Sequence, residues 1–345
     1  MKFLRASALV IFAFVILAVA TASHAYAQGT PITVRFTVQP KTLVTTLVEL
    51  AVEKGFFKEA GIDARTVTVA HGPAAVTALA SGSVDVATNA PEVFLALAGK
   101  GQSLKLIAGQ TRQLGVFAVR PGLEVPAAFP DSVKALKGKK IGVTAPGSST
   151  NVMVNFVLAK AGLKPTDVSI IGVGAAQGAV AAMRSGQIDA ISNLDPVITL
   201  LARSGDLKVI SDTRIVAEAE KVFGGPMPAA CLYAPQSFID KNPNTVQALA
   251  NAIVRADKWI QAAGPGDIIK AVPESYLLGD RAVYIEAFLA AKGALSPDGM
   301  IPEKGADTAY RALASIDAEI AKAKVDLGAV YTNDFVKKAN AKYKA

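Results

Sequence analysis

The chain has 345 residues, of which 51% are hydrophobic and 19% charged, and its net charge is +8. This length is enough for two lobes of ordinary domain size. The basic residues are scattered rather than set in a stripe with interleaved aromatics, which argues against a nucleic-acid-binding protein. Cys231 is the single cysteine, so no intramolecular disulfide can form, and we expect it to be buried. With two histidines in all, a His/Cys metal site is excluded, and we expect no cofactor.

The first 27 residues have the features of a secretory signal peptide. Lys2 and Arg5 give a positive start, residues 6–20 are continuously apolar, and residues 23–27 offer small side chains to a signal peptidase. The apolar run is too short for a comfortable transmembrane helix, so an uncleaved anchor is the less favoured alternative. We expect cleavage near Ala27 and a periplasmic protein. Removing two basic residues leaves 34 basic against 28 acidic residues, a net charge of +6.

A duplicated strand–loop–helix plan organises the rest of the chain. Residues 75–88 (AVTALASGSVDVAT) match residues 179–192 (AVAAMRSGQIDAIS) at an offset of 104, and residues 32–55 parallel residues 140–162. A repeat this long is not a solenoid unit. It predicts two α/β lobes facing each other across a cleft, which the loops at the carboxyl ends of the strands line. The expected division is a signal peptide at 1–27, a discontinuous first lobe at 28–120 and 217–345, and a second lobe at 121–216.

In the first lobe, two loops follow predicted strands at ligand-facing positions. Gln39 and Thr42 come after the strand at 32–37, and Thr88 and Asn89 stand where the strand at 84–88 ends and the chain turns into a helix. His71, the only imidazole of the expected mature chain, precedes Gly-Pro, where we expect it to cap the next helix.

The most informative loop of the second lobe is residues 145–151 (APGSSTN), between a strand and a helix. The amides of a helix's first turn point outward with the positive end of the dipole, so this loop predicts an anion site. Ser148, Ser149 and Thr150 supply three hydroxyls, more than one cap needs. The alternative is that one of them merely caps the helix.

Residues 172–178 (GVGAAQG) also follow a strand and open a helix, as a dinucleotide-binding loop does. The glycine spacing differs by one residue from that fingerprint, the strand is not the first of its lobe, and a Walker motif is absent from the chain. We therefore do not expect nucleotide binding.

Asn193 and Asp195 lie at the end of the last strand repeat, facing the predicted cleft. Asp195 could pair with an amine of a zwitterionic ligand. An Asp before a proline can equally form a turn, so both interpretations stay open.

Together these features resemble the solute-binding proteins of ABC transporters in the sulfonate, nitrate and taurine family. The resemblance covers nearly the whole expected mature chain. The phrases that carry it are Gln39 at the end of the first strand, GFFKEAGID (55–63), the pair ALASGSVDVAT (78–88) and AMRSGQIDA (182–190), LKGKKIGV (136–143), and Asp195-Pro196.

The resemblance implies an α/β type II periplasmic-binding fold, two lobes with a ligand cleft between them and two crossovers. It further implies a monomeric receptor, not an enzyme, that captures a small anionic solute (an organosulfonate, taurine, nitrate or similar) by lobe closure. Its partner would be an inner-membrane permease driven by a cytoplasmic ATPase. The implied cleft residues are Gln39, Thr42, Thr88, Asn89, Ser148, Ser149, Thr150, Asn193 and Asp195.

One departure from the family bears on the ligand. Members often have an aromatic residue just before the Asp-Pro pair, whereas Asn193 and Leu194 stand there in this chain. This argues against a ligand that needs a stacking wall. The alternatives that stay open are a periplasmic enzyme or a sensor on the same fold, and a receptor for an aromatic acid or a pyrimidine precursor.

Overall fold

The structure is a computed structural model that describes residues 31–39, 42–43, 46–113, 115–127, 129–272, 274–277 and 280–344. The expected signal peptide lies outside the described residues. Among those residues, no helix combines the length and the apolar character needed to cross a bilayer.

Strands and helices alternate along much of the chain. The strands are β1 (Ile32–Val38), β2 (Ile62–Thr68), β3 (Ala87–Asn89), β4 (Leu104–Arg112), β5 (Val116–Val119), β6 (Lys140–Val143), β7 (Ser169–Gly172), β8 (Ala190–Asn193), β9 (Lys208–Asp212) and β10 (Pro228–Pro235). The α-helices are α1 (Thr46–Glu53), α2 (Phe56–Glu59), α3 (Gly72–Ala80), α4 (Pro91–Ala98), α5 (Asp131–Lys134), α6 (Ser149–Lys160), α7 (Gln177–Arg184), α8 (Val197–Arg203), α9 (Val216–Phe223), α10 (Gln236–Lys241), α11 (Pro243–Ala262), α12 (Pro265–Ala271), α13 (Arg281–Ala291), α14 (Gly305–Ala314), α15 (Ala318–Lys322) and α16 (Asp334–Lys342).

Each lobe is built on its own sheet. In the first lobe β1 pairs in parallel with β2, while β10 lies antiparallel between β3 and β4. A parallel bridge between Phe36 and Val86 joins the two groups. In the second lobe the order is β7-β6-β8-β5-β9, with β6 parallel to both neighbours and β5 antiparallel to both of its own.

Both expected lobe boundaries shift by a few residues. Strand β5 pairs with β8 and β9, so the first crossover lies just before residue 116 and not at residue 120. Helix α9 also belongs with the second lobe, since Phe223 stacks on Phe156 with ring centroids 5.2 Å apart and Lys160 Nζ donates to the Val222 carbonyl at 2.6 Å. The chain therefore returns to the first lobe after α9 and not at residue 217.

The cores follow from the apolar pattern of the elements. Along β1 the alternate residues Val34, Phe36 and Val38 are buried against α1 and α11. Cys231 on β10 is fully buried, which confirms the expectation that it packs as a small apolar side chain.

The two lobes are in contact. One buried cluster contains Phe94 of α4, Val152 of α6 and Leu313 of α14, so helices of both lobes share apolar packing. Elsewhere α13 of the first lobe contacts α8 of the second. The gap between the lobes is therefore narrow, and helices of both lobes border it.

Candidate functional site

The amino ends of three helices from two lobes meet where the lobes face each other. A Cβ atom placed on Gly72, at the start of α3, would lie 2.9 Å from Asn89 Oδ1, just before α4. A Cβ atom placed on Gly147, just before α6, would lie 3.7 Å from Pro73 Cγ of α3. The first-turn amides of a helix lack intrahelical acceptors and carry the positive end of the dipole. Their convergence makes this part of the gap favourable for an anion.

The start of α3 is capped as the sequence suggested. His71 precedes the helix, and its Nδ1 accepts a hydrogen bond from the Ala74 amide at 3.3 Å. Because Nδ1 is the acceptor, the imidazole acts here as a cap, and that expectation is confirmed.

Most hydroxyls of the loop before α6 are used inside the loop. Ser148 is the N-cap of α6, its Oγ donating to the Ala145 carbonyl at 2.7 Å and accepting from Thr144 Oγ1 at 2.8 Å. Thr150 Oγ1 lies 2.9 Å from both of those hydroxyl oxygens and accepts from the Thr144 amide. The hydroxyls beyond the cap therefore tie the loop to the end of β6. Ser149 is half-buried.

A cavity of about 470 Å³ lies between the lobes beside this loop, and we call it the inter-lobe cavity. Its polar lining comes from Thr77, Glu92, Lys100 and Asp317 in the first lobe and from Asn151 and Asn155 on α6 in the second. Gly147 also lines it, so the predicted anion loop forms part of its wall. This volume lies within the usual range of small-molecule sites.

Glu92 is a residue of this site that the sequence did not single out. It stands in the first turn of α4, it is 0% exposed, and neither carboxylate oxygen has a hydrogen-bond partner among the residues that the structure describes. Burial raises the pKa of Glu92 to about 7. A Glu after a proline at a helix start normally complements the dipole at the surface. The only signal against that interpretation is the apolar run that follows, VFLALA.

The carboxyl-terminal parts of β3 and β4 place two further polar atoms in buried positions. Gln110 Nε2 donates to Thr88 Oγ1 at 3.2 Å, and Asn89 Oδ1 accepts from the Ala90 amide at 2.7 Å. Within the described part of the chain, Gln110 Oε1 and Asn89 Nδ2 have no hydrogen-bond partner. Buried polar groups are normally paired, so such atoms are typical of places where a ligand or water binds.

In the part of the loop after β1 that the structure describes, Thr42 and Gln39 bond to each other. Thr42 is 1% exposed, and its Oγ1 donates to the Gln39 carbonyl at 3.1 Å. Gln39 is also buried. These two residues therefore stabilise the turn into α1.

Asn193 and Asp195 are both buried and engaged with protein groups. Asn193 Nδ2 donates to the Gly174 carbonyl at 2.9 Å. Asp195 accepts from Thr199 Oγ1 at 2.8 Å and pairs with Arg214 Nη1 at 2.8 Å. Burial raises the pKa of Asp195 against the opposing effect of Arg214.

Asp195 therefore has the protein partners that the turn-forming interpretation requires. Its side chain is 2% exposed, and the same guanidinium of Arg214 also pairs with Asp212 at 2.6 Å. The carboxylate caps the turn into α8 and is neutralised by the protein itself.

Comparison with known proteins agrees with this architecture. The NMT1-like family matches residues 28–271. A Brucella abortus protein named "Putative binding protein" is 29% identical over 216 residues, covering 62% of this chain and 63% of the relative. This chain therefore spans less than two thirds of that relative's length.

Two solved structures share the fold. One from Bordetella bronchiseptica RB50 is 52% identical, with a TM-score of 0.84 over 91% of this chain and 98% of the other. The alkanesulfonate-binding protein SsuA from Xanthomonas axonopodis pv. citri, bound to MOPS, is 18% identical, with a TM-score of 0.66 over 88% of this chain and 100% of the other. The predicted periplasmic-binding fold is confirmed, and the chain belongs to the NMT1-like family.

Proposed function

We propose that this protein is the extracytoplasmic solute-binding receptor of an ABC importer and that it captures a small anionic solute, such as an organosulfonate, taurine or nitrate. The observation that carries the proposal is the meeting of the amino ends of α3, α4 and α6 at the gap between the lobes. Three partial positive charges from two lobes bind an anion together only when the lobes are closed.

The capture mechanism is a shift in population and involves no chemical step. An anion that contacts both lobes stabilises the closed arrangement over the open one by the contacts present only in the closed state. The glycine at position 147 lets the backbone approach the solute closely. Asn89 Nδ2 is a buried donor without a protein partner and would bind an oxyanion oxygen.

The other predicted contact residues support the site in different ways. Thr88 orients Gln110, and Ser148 and Thr150 hold the loop before α6, while Ser149 offers its first-turn amide. The remaining four, Gln39, Thr42, Asn193 and Asp195, fix the loops around the gap through the bonds described above.

The proposal includes a cellular setting. A cleaved signal peptide would deliver the mature protein to the periplasm, where the closed form would dock on an inner-membrane permease coupled to a cytoplasmic ATPase. This part is supported by the pattern of the first 27 residues and by the shared fold.

A thermal-shift screen followed by calorimetry tests the function. The mature protein is screened against ethanesulfonate, taurine, nitrate, bicarbonate, aromatic carboxylates and pyrimidines, because a ligand that binds only the folded state raises the melting temperature. We expect a sulfonate or another small oxyanion to give the largest shift.

The Asn89→Ala variant should then bind that anion about tenfold more weakly, since a hydrogen bond to a charged group is lost. Asn244→Ala, at an exposed position at the start of α11, is the matched control and should bind normally. Stabilisation by aromatic acids or pyrimidines alone, unchanged affinity of Asn89→Ala, or conversion of the bound solute would contradict the proposal.

A further inference from the structure

Glu92 is an unpaired buried acceptor in the wall of a cavity that otherwise favours anions. Both of its oxygens are buried without a partner, while the start of α3 and the loop before α6 lie along the same cavity. A desolvated carboxylate is costly unless it is paired or neutralised. The protein therefore holds one group that the capture of a simple anion such as nitrate does not use.

The charged groups around Glu92 do not supply the missing partner. Lys100 lines the same cavity but is exposed and lies beyond the end of α4, eight residues further along the chain. Asp317 is acidic, and its Oδ1 already accepts from the amides at the start of α15. Cys231 on β10 lies near Glu92. Burial raises the pKa of the Cys231 thiol, and the charge of Glu92 raises it further. The residues that α6 contributes to the cavity are uncharged.

We propose that Glu92 accepts a hydrogen bond from an ammonium group of the solute, so that the inter-lobe cavity selects zwitterionic solutes over simple anions. The acidic group of the solute would lie at the helix amino ends, and its ammonium group would lie at the first turn of α4. This inference rests on the anion-capturing function proposed above. It gives Glu92 the amine-pairing role that Asp195, already neutralised by Arg214, does not fill.

The test uses two pairs of compounds that differ only in the amine: taurine against ethanesulfonate, and β-alanine against propionate. Calorimetry at about pH 8, where Glu92 is ionised, should show that one amine-bearing compound binds about tenfold more tightly than its partner. Glu92→Gln should remove this preference, so that the two members of the pair bind with similar affinity. Glu92→Met should do the same, which guards against a change peculiar to the amide.

The matched control is Asp317→Asn, which alters a carboxylate on the same cavity while keeping a good helix cap. It should retain the preference. The affinity of the wild-type protein for the amine-bearing compound should fall about tenfold between pH 8 and pH 6, because a protonated Glu92 cannot accept the bond, and Glu92→Gln should show no such fall.

Each other outcome has a definite meaning. Equal affinities within both pairs, or a preference that survives in Glu92→Gln, overturn the inference and leave the anion-capturing function standing. Tighter binding of ethanesulfonate at lower pH without any loss of taurine binding overturns it too, because a protonated Glu92 would then serve as a hydrogen-bond donor to the anion. Binding of none of the four compounds overturns the inference, and stabilisation by aromatic acids or pyrimidines alone would show that the anion-capturing function has failed with it.

Discussion

Asp195 and Glu92 are both buried carboxylates near the junction of the two lobes, but only one of them is paired. Asp195 bonds to Arg214 and Thr199, whereas neither oxygen of Glu92 has a hydrogen-bond partner in the described ranges of the chain. The residue in a recognisable Asp-Pro motif is therefore part of the framework. Glu92, which lies at a helix start and belongs to no recognisable motif, is the carboxylate available to a ligand. A polar residue at a strand end is a candidate for ligand binding. Whether it can bind a ligand depends on whether tertiary contacts already supply it with a protein partner.

The largest expected effect on stability comes from removing Arg214, the ion-pair partner of Asp195. Arg214→Met would leave Asp195 and Asp212 facing each other without a cation, at a cost of about 3–5 kcal/mol in the free energy of unfolding. Urea denaturation measures the loss.

The control for that variant is an exposed ion pair. Asp131→Ala breaks the pair with Lys134, whose side chains are 60% and 56% exposed, and should cost less than about 1 kcal/mol. Similar losses in the two variants would show that the buried pair is not a framework element.

The Glu92→Gln variant tests whether Glu92 is unpaired, through the pH dependence of the free energy of unfolding. The pKa of Glu92 is raised from 4.5 to about 7 by burial, so the folded state holds a proton that the unfolded state releases. The stability that this proton gives is present at low pH and is lost as the pH rises through 7. The loss is about 3 kcal/mol between pH 5 and pH 8.

Thermal or urea unfolding of both proteins across that pH range checks this prediction. The difference between wild type and Glu92→Gln should shift in favour of the variant as the pH rises. A difference that stays constant with pH would mean that Glu92 has a partner in solution.

The Gly72→Ala variant tests how tightly the start of α3 packs against Asn89. The added Cβ would lie 2.9 Å from Asn89 Oδ1, so the amide must move, at a cost of about 1–3 kcal/mol. Gly266→Ala, in α12 with nothing within 4 Å, should be neutral or slightly stabilising. Equal melting temperatures of the two variants would contradict the close packing.

Ser148→Ala should have the smallest effect. It removes the cap of α6 and the bonds to Thr144 and Thr150, and should cost about 1 kcal/mol, as for other helix caps. Differential scanning calorimetry is sensitive enough to detect it. No change in melting temperature would indicate that the hydroxyl bonds to water in solution and not to the loop.

The sequence predicted the fold well because repeated local patterns encode it. The matching segments at 75–88 and 179–192 belong to corresponding helix–strand units of the two lobes, and the buried alternation along β1 is visible in its residues. The lobe boundaries were less accurate, because β5 looks like any short apolar strand until its sheet partners are known.

The site was predicted only in outline. The loop at 145–151 does line the gap, since the shift from strand to helix is a local signal. The pairing of Asp195 with Arg214 joins residues nineteen positions apart and cannot be read from either one. The isolation of Glu92 depends on what α6, β10 and α14 place around it, and a single helix sequence does not contain that information.

The most direct test of capture between the lobes is to lock them together. Cysteines at positions 73 and 147 would lie near each other across the gap, since Pro73 Cγ is 3.7 Å from a Cβ atom placed on Gly147, and the natural Cys231 is too buried to compete. Because Gly147 has a φ of +75°, a cysteine there is strained, so the reduced double variant is the reference for binding. Calorimetry of the solute-free oxidised double variant with the best-binding anion should show no uptake, and reduction should restore it. Undiminished binding by the oxidised form would place the solute outside the gap and contradict the account.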